Sequence, residues 1–274
     1  MAENDPRIRA VLLTGSRANA KIIPDKYQDF DIIFIVIDPQ SFISDHSWTT
    51  IFGEKLIGQL PDEMILDNNG TKSVGFHYLM LFKDGNRIDL TLFPVDKMKD
   101  QFHREGMSVT WLDKDKLFPA KDVANDSHYL IKKPTEKQFL DACNEFWWVS
   151  TYVAKGLLRN EMTYSKEMLE RIVRPMFMKI IEWYVGCKTE FSVSFGKGGR
   201  FMKNFLPGSI YDRMLQTYSD HHPENNWKAL FVMMDVFSEL ASSVANSLGF
   251  HYHVNEEKNV ITYIQQLYDE RNQE

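Results

Sequence analysis

Cysteine is scarce in this chain of 274 residues. Only Cys143 and Cys187 occur, at a spacing that fits neither a zinc cluster nor a disulfide framework, so both read as reduced packing residues on helical segments. Long apolar runs are missing too. No uninterrupted one is longer than Ile32 to Ile37, far short of the roughly 20 residues that a membrane-spanning helix needs, and no membrane partner is expected. The N-terminal MAENDPRIRAV has neither the basic start nor the apolar core of a secretory signal, which makes the cytoplasm the expected compartment. A basic excess is also absent. With 32 Lys plus Arg against 38 Asp plus Glu, the net charge of −6 disfavours a protein that grips nucleic acid through a broad cationic face. The same balance is compatible with a cationic substrate.

What is present is core-forming material: 43% of the residues are hydrophobic and 13% aromatic, enough for two compact domains. The hydrophobic period changes along the chain. Strand-like runs dominate before about residue 125 and helical periods follow it, which predicts an α+β protein with a mixed-sheet domain over 1–124 and a helical bundle over 125–274. Arg9 to Thr14 and Asp29 to Ile37 read as short buried strands. Trp48, Ile51, Phe52, Leu56, Ile57 and Leu60 follow helical spacing, so a helix is expected from Asp45 to Leu60. His77 to Phe82 and Asn86 to Phe93 flank Lys83-Asp84-Gly85, whose Asp-Gly pair signals a hairpin and makes the sheet mixed. Thr135 and Gln138 stand in capping-box positions before a long helix. A second helix is expected from Ser165 to Tyr184, kinked at Pro175 and ended by Gly186, then shorter ones at Arg200 to Leu206 and Ser209 to Tyr218. Long helices are expected at Glu224 to Leu248 and Asn255 to Arg271.

Three carboxylates stand out against this background. Side chains alternate across a strand, so Asp29 and Asp31 share a face while Phe30 takes the other. Two like charges that converge repel unless a cation lies between them. Hard oxygen ligands select magnesium or manganese over zinc, and magnesium keeps waters and substrate phosphates in its shell, which points to a nucleotide. Asp89 shares a strand face with Arg87 and Thr91, opposite Ile88, Leu90 and Leu92. Gly15-Ser16 follows a strand and opens a turn, where a residue without a side chain lets the backbone approach a phosphate. Each piece alone has a plain structural explanation. Their order, Gly-Ser turn, Asp-x-Asp on the next strand and a further Asp on a later hairpin, is the pattern of the nucleotidyltransferase superfamily.

Within that superfamily the segments TGSRAN, YQDFDI, DGNRIDLTLFP, CNEFWWVSTYVAKGL and RPMFMKIIEWY resemble the aminoglycoside 6-adenylyltransferase (streptomycin adenylyltransferase) family over nearly the whole chain. Members usually carry a helix before the segment similar to ENDPRIRAV. The resemblance implies that Asp29 and Asp31 bind magnesium, that Gly15 and Ser16 hold the phosphates of ATP, and that Asp89 completes the site as metal ligand or as general base toward the acceptor hydroxyl. A pair of magnesium ions about 3.5–4 Å apart would serve an in-line displacement at phosphorus. The implied reaction moves AMP from ATP to a hydroxyl of a streptomycin-like aminoglycoside, with release of pyrophosphate and drug resistance as the outcome.

The helical half must then supply the acceptor site. Glu145, Trp148 and Tyr152 are its candidates, with Glu145 either pairing a cationic amine or guanidinium or simply solvated, and Trp147 assigned to the core. Lys155, Lys197, Arg200 and Lys203 are candidates for the triphosphate, although GKGGR also reads as a glycine turn with exposed cations. Arg17 either contacts phosphate or pairs with Asp29. His251 and His253, like His221 and His222, are expected to be packed or solvated, because structural zinc sites use four ligands. Two other readings stand beside the first: a nucleotidyltransferase with a different acceptor, and a catalytically silent nucleotide-binding module.

Overall fold

The structure is a computed structural model that describes residues 1–19, 23–65, 73–104, 106–119 and 129–271. The chain divides into two compact units, Met1–His128 and Tyr129–Glu274. The expected boundary at residues 124 and 125 lies outside the described residues.

The first unit is built on one sheet of six strands, β1 (Ile8–Thr14), β2 (Phe30–Val36), β3 (Lys55–Gln59), β4 (Phe76–Phe82), β5 (Arg87–Pro94) and β6 (Ser108–Asp113), in the order β3-β4-β5-β2-β1-β6. Among the described residues β2 and β5 run parallel and every other pairing is antiparallel. The sheet is therefore mixed, as the Asp84-Gly85 turn predicts. Three short helices lie between strands: α1 (Gly15–Ala18), α2 (Gln40–Ile43) and α3 (Met98–Gln101). Alternation assigns the two faces. Phe34, Val36, Tyr78, Met80, Phe82, Leu90 and Leu92 bury one face together with Ile8, Val11 and Phe42, each large side chain contributing about 1.5–3 kcal/mol on burial. On the opposite face Ala10, Ile35 and Phe93 are covered by Val95, Met98, Phe102, Leu117 and Phe118. That second cover sits toward the C-terminal ends of β2 and β5. The N-terminal ends of these two strands, where Asp31 and Asp89 lie, are outside it.

Two features of this unit differ from the sequence reading. The stretch from Asp45 to Leu60 is not one helix but a 3-10 helix over His46–Phe52 followed by β3. Gly53, at φ 127, takes a backbone conformation that stops the helix, and Leu56 and Ile57 beyond it are exposed on an edge strand. The six apolar residues match a helical period only because two short elements of different geometry happen to add up to one. β6 is the second difference; Val109 and Trp111 alternate with Ser108 and Thr110, but the run is too short to stand out, and it pairs with β1 at the other edge.

The second unit is helical: α4 (Glu136–Leu158), α5 (Met162–Met168), α6 (Arg174–Lys188), α7 (Gly208–Gln216), α8 (Pro223–Leu248) and α9 (Val254–Glu270). Thr135 and Gln138 form the expected capping box on α4. α8 opens with Pro223 and ends at Gly249 in the left-handed conformation, the sequence signals of a helix start and stop. α8 is the one described helix long and apolar enough to cross a membrane by length and composition, yet 56% of that stretch is buried, with Trp227, Leu230, Met233, Phe237 and Leu240 in the core of the unit. Pro175 is answered by a turn of π-helix, Leu169–Val173, that links α5 to α6 ahead of the proline. Gly186 does not end α6, which continues to Lys188 with Thr189 as its cap. It is glycine for packing: a Cβ there would stand 2.5 Å from the Phe191 ring. The helix expected at Arg200 to Leu206 is a single 3-10 turn, Met202–Asn204. Cys143 and Cys187 are unpaired and lie on α4 and α6.

Candidate active site

Parallel pairing of β2 with β5 sets Asp31 directly beside Asp89, and antiparallel pairing of β1 with β2 sets Thr14 beside Asp31. Neighbours in register point to the same face, so one row across the sheet carries Thr14, Asp31 and Asp89. Asp29, two residues before Asp31, completes the carboxylate set. Here the sheet places Asp31 and Asp89 on a single face, drawn from two strands that the chain order keeps apart, with Asp29 just ahead of β2.

β1 delivers Gly15 to the same spot. Its φ of +68° lies in the left-handed region, and a Cβ at this position would stand 2.8 Å from Asp31 Cγ and closer still to Oδ2. Glycine is thus required twice over, by its backbone and by the carboxylate against it. The helical turn α1 that follows is stitched to the loop before β2. Arg17 donates from Nη2 to the Gln28 carbonyl at 2.8 Å and from Nε to the Asp29 carbonyl at 3.1 Å, while its guanidinium lies 3.8 Å over the Phe30 ring. Gln28 Nε2 donates to the Ser16 carbonyl at 3.4 Å. Arg17 therefore holds the backbone of Asp29, not its carboxylate, and so orients the first acid of the Asp-x-Asp pair. Charge-assisted hydrogen bonds of this kind contribute about 1.5–3 kcal/mol each. Arg17→Ala is expected to lower the stability of the chain by about 1–3 kcal/mol in urea denaturation, and Arg17→Lys, which keeps the charge without the planar fork, to recover only part of it.

Arg87 is the residue of this face that the sequence reading left out of the site. Its Nε and Nη2 donate to the two carboxylate oxygens of Asp89, each at 2.7 Å, and Nε stands 3.8 Å from Asp29 Oδ2. The hydrogen bond to Asp89 holds the guanidinium above its ordinary pKa. The signal was available in the sequence, since Arg-x-Asp on a strand puts both side chains on one face. In this arrangement no three His, Cys, Asp or Glu side chains among the described residues form a ready metal-binding group. The donor set still suits a hard divalent cation: carboxylate oxygens on one face, already neutralised in part by a guanidinium, beside a backbone that approaches without a side chain.

The candidates of the helical unit fall in two places. Glu145, Trp148, Tyr152 and Lys155 are spaced three or four residues apart, which stacks them on one face of α4. Trp148 is 60% exposed, and its Nε1 donates to Tyr152 Oη at 2.7 Å. Lys155 Nζ lies 5.9 Å from the Tyr152 ring and 5.6 Å from that of Tyr263 on α9. Trp147, by contrast, is buried and donates to Tyr252 Oη at 3.1 Å, a core position. Lys197 and Arg200 are exposed on a turn in which Gly196, Gly198 and Gly199 all have positive φ, with the Arg200 guanidinium 5.3 Å from the Phe201 ring. Lys203 is exposed on the next turn. The rings of His251 and His253 pack edge to face at 4.7 Å.

A family model described as "Streptomycin adenylyltransferase" matches residues 1–267. The chain belongs to this family. Its relatives bear this out across nearly full length. It is 40% identical to an aminoglycoside 6-adenylyltransferase of Bacillus subtilis (strain 168), covering 92% of this chain and 88% of that protein. It is 41% identical to one of Campylobacter jejuni, with 94% and 88% covered, and 35% identical to one of Staphylococcus aureus, with 96% and 93% covered. Among solved structures, the crystal structure of an aminoglycoside 6-adenyltransferase from Bacillus subtilis is 35% identical and covers 97% of this chain and 94% of that one, at a TM-score of 0.49. Membership of an adenylyltransferase family makes the chain an enzyme by descent.

Proposed function

We propose that this enzyme transfers AMP from ATP to a hydroxyl of a streptomycin-type aminoglycoside, releases pyrophosphate, and thereby confers resistance to the drug. The observation that carries the chemistry is the carboxylate face itself: Asp31 and Asp89 in register, Asp29 beside them, and Gly15 closed against Asp31. The relatives, which are aminoglycoside 6-adenylyltransferases, support the acceptor class.

Asp29 and Asp31 would hold magnesium, and Asp89 either joins them as a ligand or serves as the base. Magnesium bound there with the triphosphate would neutralise charge on the reacting phosphate and on the departing pyrophosphate. The chain's own groups do the rest. Gly15 and Ser16 lie where a phosphate can meet backbone N–H groups at the end of β1. In the base role, which we favour, Asp89 accepts the proton of the acceptor hydroxyl as its oxygen bonds to the α-phosphorus. The bond from that phosphorus to the bridging oxygen breaks, and the electron pair leaves on pyrophosphate. Trp148 and Tyr152 offer an exposed aromatic wall with Glu145 as a counter-charge, a combination suited to a guanidinium or ammonium sugar. Lys155, Lys197 and Arg200 are the helical unit's candidates for binding anionic oxygens.

The test is direct. The purified chain, incubated with ATP, magnesium and a panel of aminoglycosides, is expected to add the mass of one AMP to streptomycin. A gain on another aminoglycoside alone would redirect the acceptor, and no gain on any compound would remove the proposal.

A further inference from the structure

Three acids gathered at the N-terminal ends of β2 and β5 repel one another unless a cation answers them. In this structure the repulsion is answered from within the strand. Arg87 stands two residues before Asp89 on β5 and so on the same face. It engages both oxygens of Asp89 in a fork at 2.7 Å and reaches to 3.8 Å of Asp29, spanning an acid of β5 and the acid that precedes β2. A bidentate fork uses the same carboxylate lone pairs that a metal ion or an incoming proton would need. The pair is not sealed in the core: the side chains of Arg87, Asp29 and Asp89 are 43%, 40% and 23% exposed, so the fork can open at modest cost.

From this geometry we propose that Arg87 is the resident counter-ion of the carboxylate face, a positioning residue that keeps Asp89 engaged until a metal-bearing nucleotide displaces it. The inference rests on the nucleotide-site reading above and adds an order of events to it. A bare divalent cation at Asp29 and Asp31 must compete with a guanidinium that already lies 3.8 Å from Asp29 and offsets the charge of the face. A cation that arrives on a triphosphate does not face the same competition, because the phosphates offer the released guanidinium new anionic oxygens. Metal and nucleotide therefore bind cooperatively, and Arg87 is the source of part of that coupling. Competition and coupling are two views of one linkage, typically a factor of about 5–150. The benefit to the enzyme is that Asp89 is not free as a base when no ATP is present.

The experiment uses Mn2+ as the probe, followed by electron paramagnetic resonance with and without ATP, on the wild-type chain, Arg87→Gln and Arg87→Lys. Wild type is expected to bind Mn2+ weakly alone and more tightly with ATP. Arg87→Gln is expected to bind Mn2+ alone at least about 5-fold more tightly than wild type and to show a correspondingly smaller gain when ATP is added. Arg87→Lys, which keeps the charge but not the fork, is expected to fall between them, and it carries the test if the glutamine variant does not fold by circular dichroism. If wild type binds Mn2+ with ATP and both variants match it in both titrations, the carboxylate site stands and the role of Arg87 is overturned. If wild type binds no Mn2+ even with ATP, the site reading fails and takes this inference with it.

Discussion

Asp89→Asn is expected to reduce AMP transfer by about 10³-fold while ATP binding survives, a loss near the middle of the range for a residue that handles the reacting proton. By the rate relation this is about 4 kcal/mol of barrier, more than the change in stability expected for this partly buried strand position. The substitution is nearly isosteric. It leaves an oxygen to accept from Arg87 and removes the charge and the basicity that the proton transfer needs. Single-turnover transfer and ATP affinity measured on the same preparation separate the two effects. Unchanged turnover would take Asp89 out of the mechanism, whereas a parallel loss of ATP binding would place it among the metal ligands and not at the acceptor.

Gly15→Ala is the second large effect, and here structure and chemistry fail together. A left-handed backbone costs an alanine about 1–2 kcal/mol, and Gly15 sits at φ +68°. The new methyl would also press on the carboxylate of Asp31, 2.8 Å from Cγ, so the acid must rotate away or the turn must open. Displacing a reacting geometry by about 1 Å can cost about 10²-fold in rate. Transfer is therefore expected to fall by about 10²-fold or more, accompanied by a loss of about 1–3 kcal/mol in urea denaturation. Gly85 provides the internal control. It also has positive φ, 85°, but a Cβ there meets nothing within 4 Å, so Gly85→Ala should pay the backbone term and leave transfer untouched. Equal activity losses in the two variants would show that the carboxylate contact is irrelevant.

What the sequence discloses depends on how local the physics is. The hairpin at Asp84-Gly85 and the capping box at Thr135 are set by residues a few positions apart, and each is where the pattern puts it. Strand alternation predicts a shared face for Asp29 and Asp31, but β2 begins only at Phe30, so Asp29 stands just outside the element that the rule describes. The 3-10 helix and edge strand over 46–59 were misread because helical spacing cannot see the backbone of Gly53. The partnership of Arg87 with Asp89 needed only a two-residue spacing to be noticed, yet its reach to Asp29 depends on β5 lying parallel to β2, which no local pattern states. Arg17 shows the same limit, since its partners are backbone carbonyls of another segment. The acceptor is the least legible part of all; nothing in Glu145, Trp148 and Tyr152 by themselves specifies an aminoglycoside, and that reading comes from the family.

The single parallel pairing, β2 on β5, has a consequence for how the enzyme comes into being. β4 and β5 meet across a tight turn and can zip early, but β2 must find β5 across the whole stretch of chain that holds α2, β3 and β4. Closing such a long loop carries an entropic cost that a hairpin avoids, and non-local pairing of this kind slows folding. Asp31 and Asp89 are strangers until that closure happens. A refolding chain should thus regain its hairpin and helices first and, on the proposed metal site, binding of Mn2+ with ATP last, which would make metal capture a late clock of folding.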